Sequence, residues 1–278
     1  MLEYDLKYQL LLKKILKDGI EELSERTGHA TKALPGETIE LDAGKSFPVL
    51  TLRKIPIKLF VAEQVWYLTG GRRPQDFLTQ FTNIWDDFSE IDGVVTAAYG
   101  YRWRYYFGRD QIKALINLLT KEPSSRHGVI VTWDPGSDGL NPNRKRKNVP
   151  CPYTFTVNII GGKLHLHNII RSNDMILGFP HDVGGFAFIQ YLLAAKLGVK
   201  VGKYTHSISN AHLYDNQYAA AKKLINRKNN HAPIKLNLTA KDFDRALKGD
   251  KNLVLEVVEQ LTSQYHPMPP IKGLQIVL

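Results

Sequence analysis

The stretch Pro150-Cys151-Pro152-Tyr153-Thr154-Phe155-Thr156-Val157-Asn158-Ile159-Ile160-Gly161-Gly162-Lys163-Leu164-His165-Leu166-His167-Asn168-Ile169-Ile170-Arg171-Ser172-Asn173-Asp174 decides how this chain is read. Two β-branched and aromatic runs, Tyr153–Ile160 and Lys163–Ile170, flank a Gly-Gly pair, which is the form of a hairpin. Antiparallel pairing would bring Cys151, at the start of the first strand, to the same sheet edge as Arg171, just past the end of the second. An arginine beside a thiol lowers the thiol's pKa and can hold an anionic substrate. The pair is therefore a candidate nucleophile with its anchor.

Outward from the hairpin, helical spacing predicts helices over Asp5–Leu16 (ended by Gly19), Lys58–Leu68, Pro74–Phe81, Asp110–Leu119, Ala187–Leu197 and His212–Leu224. Strands are expected at Thr38–Leu41, Val49–Leu52, Gly128–Trp133, Tyr204–Ile208, Ile234–Leu238 and Leu253–Val258. The elements alternate irregularly, without repeated βαβ units or a dinucleotide glycine fingerprint, so we expect one α+β domain over residues 1–278. Glu63 lies among Leu59, Phe60, Val61, Val65, Trp66 and Leu68, where an acid must face apolar groups or a cleft.

With 278 residues, 43% of them hydrophobic, the chain is large enough for a core without disulfides or a structural metal, and its one cysteine cannot form an intrachain bridge. No signal-peptide pattern or long apolar run occurs, so a cytoplasmic protein without membrane contact is expected. The net charge of +10 suits a polyanion or a phosphate-bearing substrate. The densest basic block, Arg144-Lys145-Arg146-Lys147, lacks zinc spacing, aromatic stacking repeats or a recognition-helix pattern. We read it as a solvated loop and do not expect nucleic acid as a partner.

The ordered motifs resemble the thymidylate synthase family and its close relatives, the pyrimidine-nucleotide hydroxymethylases. The resemblance spans nearly the whole chain: Glu25-Arg26-Thr27-Gly28, Phe47-Pro48-Val49-Leu50-Thr51, Glu63 with Trp66-Tyr67-Leu68, Ile84-Trp85-Asp86, Tyr99-Gly100 with Trp103-Arg104, and Ser125-Arg126. It is strongest at Pro150-Cys151, Arg171-Ser172-Asn173-Asp174, Gly178-Phe179-Pro180 and His212-Leu213-Tyr214. It implies an α+β fold with a mixed sheet flanked by helices, a sheet-to-sheet homodimer, and one-carbon transfer from 5,10-methylenetetrahydrofolate to C5 of a pyrimidine nucleotide, without a metal.

By this resemblance Cys151 adds to C6, since C5 is a poor nucleophile until a soft nucleophile adds there. Arg26, Arg171 and Ser172 hold the nucleotide phosphate, with Arg126 reaching across from the other subunit. His127 follows Arg126 where the usual synthase has a second arginine. His212 and Tyr214 hold the sugar, Glu63 organises water and proton transfer near the base, and Tyr99 belongs to the catalytic set. Trp85, Asp174, Gly178, Phe179 and the terminal Leu278 belong to the folate site, with tail 271–278 closing over it.

The most informative departure is Asp182, where methylating enzymes have asparagine. A protonated aspartic acid donates from its hydroxyl and accepts with its carbonyl, matching N3 and the 4-amino group of cytosine. The resemblance at this position is to phage-type deoxycytidylate hydroxymethylase. Pro152, Ile170 and Gly185 also depart from the synthase pattern, and smaller or differently polar walls there would admit water to form hydroxymethyl. The preferred reading is hydroxymethylation of CMP or dCMP. The alternatives are reductive methylation of dUMP, giving dihydrofolate, and an inactive basic relative.

Overall fold

A computed structural model describes residues 1–23, 27–140, 149–274 and 277. The chain begins with α1 (Glu3–Asp18), β1 (Ile20–Leu23), β2 (Ala30–Asp42) and α2 (Ile57–Thr69), followed by two 3₁₀ turns at Pro74–Asp76 and Leu78–Gln80. Next come α3 (Tyr99–Tyr101), which continues as a π turn over Arg102–Tyr106, α4 (Gln111–Lys121), β3 (Val129–Val131), β4 (Pro152–Ile160), β5 (Lys163–Ile170) and β6 (Asn173–Asp174). α5 (Gly178–Leu197) leads to β7 (Lys200–Tyr214), and a 3₁₀ turn at Asp215–Gln217 precedes α6 (Tyr218–Ile225), α7 (Ala240–Leu247) and α8 (Lys251–Thr262).

The hairpin forms as its sequence directs. β4 and β5 pair antiparallel from Pro152↔Ile170 to Ile160↔Lys163, and Gly161 and Gly162 take φ of 59° and 70°, the positive values a two-residue turn needs. The sheet order is β1-β2-β7-β5-β4-β3, with β6 on the same edge of β7 as β5. β7 runs parallel to β5 and β6 and antiparallel to β2, so the sheet is mixed. Alternation along β5 and β7 buries Leu164, Leu166, Tyr204 and Ile208, with α5 packed against both strands, while His165, His167, Thr205 and Ser207 on the opposite face stay less buried. The fold is α+β.

The structure differs from the sequence reading at several elements. Leu253–Val258 is helical within α8: Asp250 caps its start by accepting from Asn252 N, and buried Leu253, Val254, Val257 and Leu261 have helical spacing. Ile234–Leu238 joins no strand of the sheet; its backbone meets side chains of and just beyond α8, with Gln260 accepting from Asn237 N and Gln264 accepting from Lys235 N. Val49–Leu52 is buried loop, with Asp5 accepting from Thr51 N at 2.8 Å and from its hydroxyl at 2.5 Å. Pro74–Phe81 forms two 3₁₀ turns, and His212–Tyr214 ends β7 instead of opening a helix. β2 continues through Pro35-Gly36, where Gly36 takes φ 66° and the register with β7 is the same on both sides.

Candidate active site

β7 is bordered by β5 up to Ile170↔Ile208 and by β6 from Asn173↔Ala211, so Arg171 and Ser172 occupy the break between the two short neighbours. Arg171 N donates to Cys151 O at 3.0 Å, Nε to Pro150 O at 2.8 Å and Nη2 to Val149 O at 3.1 Å. These bonds fix the guanidinium with Nη2 3.8 Å from Cys151 Sγ. Cys151 is partly exposed and in no disulfide, and its N–H lies 3.5 Å from the Tyr99 hydroxyl. Burial, reinforced by Cys151, raises the Tyr99 phenol well above its ordinary value, so it stays protonated. Gly100 lets α3 approach α2 closely, since a Cβ there would collide with the Tyr67 carbonyl.

Glu63 is buried on α2. Its Oε1 accepts from Trp85 Nε1 at 2.7 Å, and its Oε2 lies 3.4 Å from Gln64 Nε2 and 3.6 Å from His181 Nε2. That His181 nitrogen is buried and has no hydrogen-bond partner among the described residues. A Cβ on Gly185 would come within 2.5 Å of Gln64 Nε2, so the glycine makes room for Gln64, while Pro152 and Ile170 pair with each other and are buried.

Asp182, on the first turns of α5, accepts from Asn173 Nδ2 at 2.8 Å. Enclosure of the carboxyl pushes its pKa up to about 7, although part of its surface remains accessible. Glu63 and Asp174 act in the same direction, against His181 and the Asn173 amide. Behind Asn173, His206 Nε2 lies 3.0 Å from its Oδ1, and the Tyr204 hydroxyl lies 2.8 Å from His206 Nδ1. His206 is fully buried, which holds it down to about 3 with His167 acting in the same sense.

β6 pairs Asp174 with His212, which stands edge-on to Tyr214 with ring centres 5.1 Å apart. Asp174 Oδ1 accepts from Ile176 N and Leu177 N, and Oδ2 from Gln217 Nε2 at 2.7 Å, so it also secures the turn into α5. Gly178 lies against this group: a Cβ there would come within 3.1 Å of Asn173 Nδ2. Phe179 is fully buried and stacks on Tyr8, with its side chain in the core and not along a cleft. Arg126 and His127 are exposed and Ser172 is partly exposed. Arg26, Leu278 and the basic run Arg144–Lys147 fall outside the described residues, while Ile271 and Leu274 pack against the core.

His206, Tyr204, Gln217 and His181 carry no role in the sequence reading, and Asn173 stands there only as a member of the Arg171–Asp174 motif. A histidine at an inward position of an apolar strand is ordinarily a core residue, and only the structure brings His206 to Asn173. Among the described residues no group of three or more His, Cys, Asp or Glu side chains is placed to hold a metal, and no helix is long and apolar enough to cross a membrane.

A thiol beside a fixed guanidinium, a buried acid on a tryptophan and an enclosed carboxyl thus stand within electrostatic reach of one another around Tyr99. The family model described as thymidylate synthase matches residues 6–275, and the chain belongs to that family, whose members carry out folate-dependent modification of pyrimidine nucleotides. Among solved structures it is similar to the thermostable thymidylate synthase A from Bacillus subtilis, with a TM-score of 0.74 and 28% identity over 83% of this chain and 87% of that one.

Proposed function

We propose that this protein transfers a one-carbon unit to C5 of a cytosine nucleoside monophosphate, CMP or dCMP, and releases the 5-hydroxymethyl product. The observation that carries the cytosine reading is Asp182, whose pKa near 7 leaves a substantial protonated fraction at neutral pH to donate to N3 while accepting from the 4-amino group. 5,10-Methylenetetrahydrofolate as second substrate would supply the carbon at the oxidation level of formaldehyde. Two groups suit such a partner: Asp174 is an acceptor, and the orphaned His181 Nε2 is a polar atom that a ligand or water would satisfy.

In this reading Cys151 Sγ bonds to C6, and the electron pair displaced to C5 attacks the carbon unit. The C5 proton then leaves, and departure of tetrahydrofolate leaves an exocyclic methylene on the nucleotide. Glu63, held by Trp85, and His181 position the water that adds to it, and the Sγ–C6 bond breaks to return the thiolate. Arg171, Arg26 and Ser172 bind the phosphate, with Arg126 supplied by a second copy across the less covered sheet face. His212 and Tyr214 hold the sugar, and tail 271–278 closes over the folate.

The second reading is reductive methylation of dUMP. The whole-chain comparisons favour it more directly, since the matching family and the solved relative are both thymidylate synthases. One assay separates the two: purified protein with 5,10-methylenetetrahydrofolate and CMP, dCMP or dUMP, read by product mass and by absorbance of dihydrofolate. The cytosine reading expects a gain of CH₂O on CMP or dCMP without dihydrofolate. A methyl gained by dUMP alone, with dihydrofolate, would replace it with the second.

A further inference from the structure

The bonds behind Asp182 have a direction. Asn173 Nδ2 donates to Asp182 Oδ2, so Asn173 turns its Oδ1 to His206 Nε2. A carboxamide oxygen only accepts, which places the His206 proton on Nε2. A neutral imidazole carries one N–H, so Nδ1 accepts from the Tyr204 hydroxyl. Donation thus runs from Tyr204 through His206 and Asn173 to Asp182. Burial keeps His206 from taking the second proton that would turn Nδ1 into a donor.

At the end of the chain the two oxygens of Asp182 become inequivalent. Oδ2 already faces an N–H, so a proton on the carboxyl sits on Oδ1, which has no hydrogen-bond partner among the described residues. The acid then presents a donor at Oδ1 and a remaining lone pair at Oδ2, the complement of cytosine N3 and its amino group. Uracil needs an acceptor opposite N3–H and a donor opposite O4, and a proton on Oδ2 would meet the Asn173 N–H.

We propose that Tyr204, His206 and Asn173 form a directional chain that fixes the Asp182 proton on Oδ1, making His206 a positioning residue for cytosine-over-uracil selection. This inference rests on the cytosine reading of Asp182. Other groups acting on that carboxyl are Glu63 and Tyr67 from α2, Tyr99 from α3, Asp174 of β6, Tyr204 of β7 and His181 on its own helix. Of these only Tyr204, whose hydroxyl meets His206 Nδ1, is touched by a substitution at His206.

The test is calorimetric binding of dCMP against dUMP, and of CMP against UMP, to the full-length protein as a function of pH. The wild type is expected to favour the cytosine member, with binding weakening as pH rises through the Asp182 pKa. His206→Phe keeps an aromatic ring but removes the donor, freeing the Asn173 amide to rotate, and should cut the cytosine preference at least about tenfold. It should also move the pH midpoint upward, because the Asn173 donation that holds the Asp182 pKa down is weakened. His206→Gln, whose amide N–H donates to Asn173, should restore most of the preference. Tyr204→Phe, which deletes only the hydroxyl, should lower it by about threefold and serves if His206→Phe does not fold. A folded His206→Phe, or failing that Tyr204→Phe, with unchanged preference and midpoint overturns the chain. A wild type that binds the uracil member better overturns the cytosine reading itself.

Discussion

Asp138 and Asp182 are two enclosed carboxyl groups held in opposite ways. Asp138, fully buried, meets the guanidinium of Arg102 with both oxygens, Nη2 donating to Oδ1 at 2.9 Å and Nη1 to Oδ2, while Asp134 N donates to Oδ2 at 2.9 Å. Among the described residues no guanidinium bonds to Asp182, which takes one amide N–H. The first is a fixed charge pair that ties the loop after β3 to the π turn, with Arg102 also donating to Thr132 O. The second is left able to exchange a proton near neutrality. The two carboxyls differ in what donates to them, a guanidinium in one and an amide in the other.

Substitutions sharpen this division. Cys151→Ala should lower turnover at least about a thousandfold and abolish any C6 adduct seen by mass spectrometry, with thermal stability little changed, since no second cysteine exists to replace it. Asp138→Ala leaves Arg102 buried and unpaired, and should cost about 3–5 kcal/mol of stability by denaturant titration. Base preference of the remaining folded enzyme should not change. Trp85→Phe removes the donor to Glu63 and should lower kcat about tenfold while nucleotide binding holds. The smallest effect is with pH: kcat/KM for the cytosine substrate should fall as pH rises through about 7, where Asp182 loses its proton. In Asp138→Ala the same limb should stay in place; a shift there would mean that the two carboxyls are not independent.

The hairpin and the Cys151–Arg171 adjacency were legible because a Gly-Gly turn fixes register, and register fixes which ends meet. α2 and α4 were legible from apolar spacing. α5 was read only from Ala187, because Gly178, Pro180, Gly184 and Gly185 look like loop residues. In the structure Gly184 and Gly185 serve close packing, with a Cβ on Gly184 reaching 3.0 Å from Phe60. The β-branched content of Leu253–Val258 suggested a strand, but the Asp250 cap and tertiary burial made it a helix. Asn173, His181 and His206 escaped functional reading because their partners are distant in sequence. The His206–Asn173 bond crosses from β7 to β6, and no local pattern encodes it.

The most direct test of the account is the ratio of kcat/KM for dCMP to that for dUMP in the wild type and in Asp182→Asn, with products identified by mass. Selection by Asp182 requires a wild-type ratio above one and a shift toward dUMP of about tenfold or more in the variant, because the asparagine amide donates to O4 and accepts from N3–H. A wild type that prefers dUMP, or a ratio that does not move in the variant, would contradict the assignment of Asp182 as the residue that reads the base.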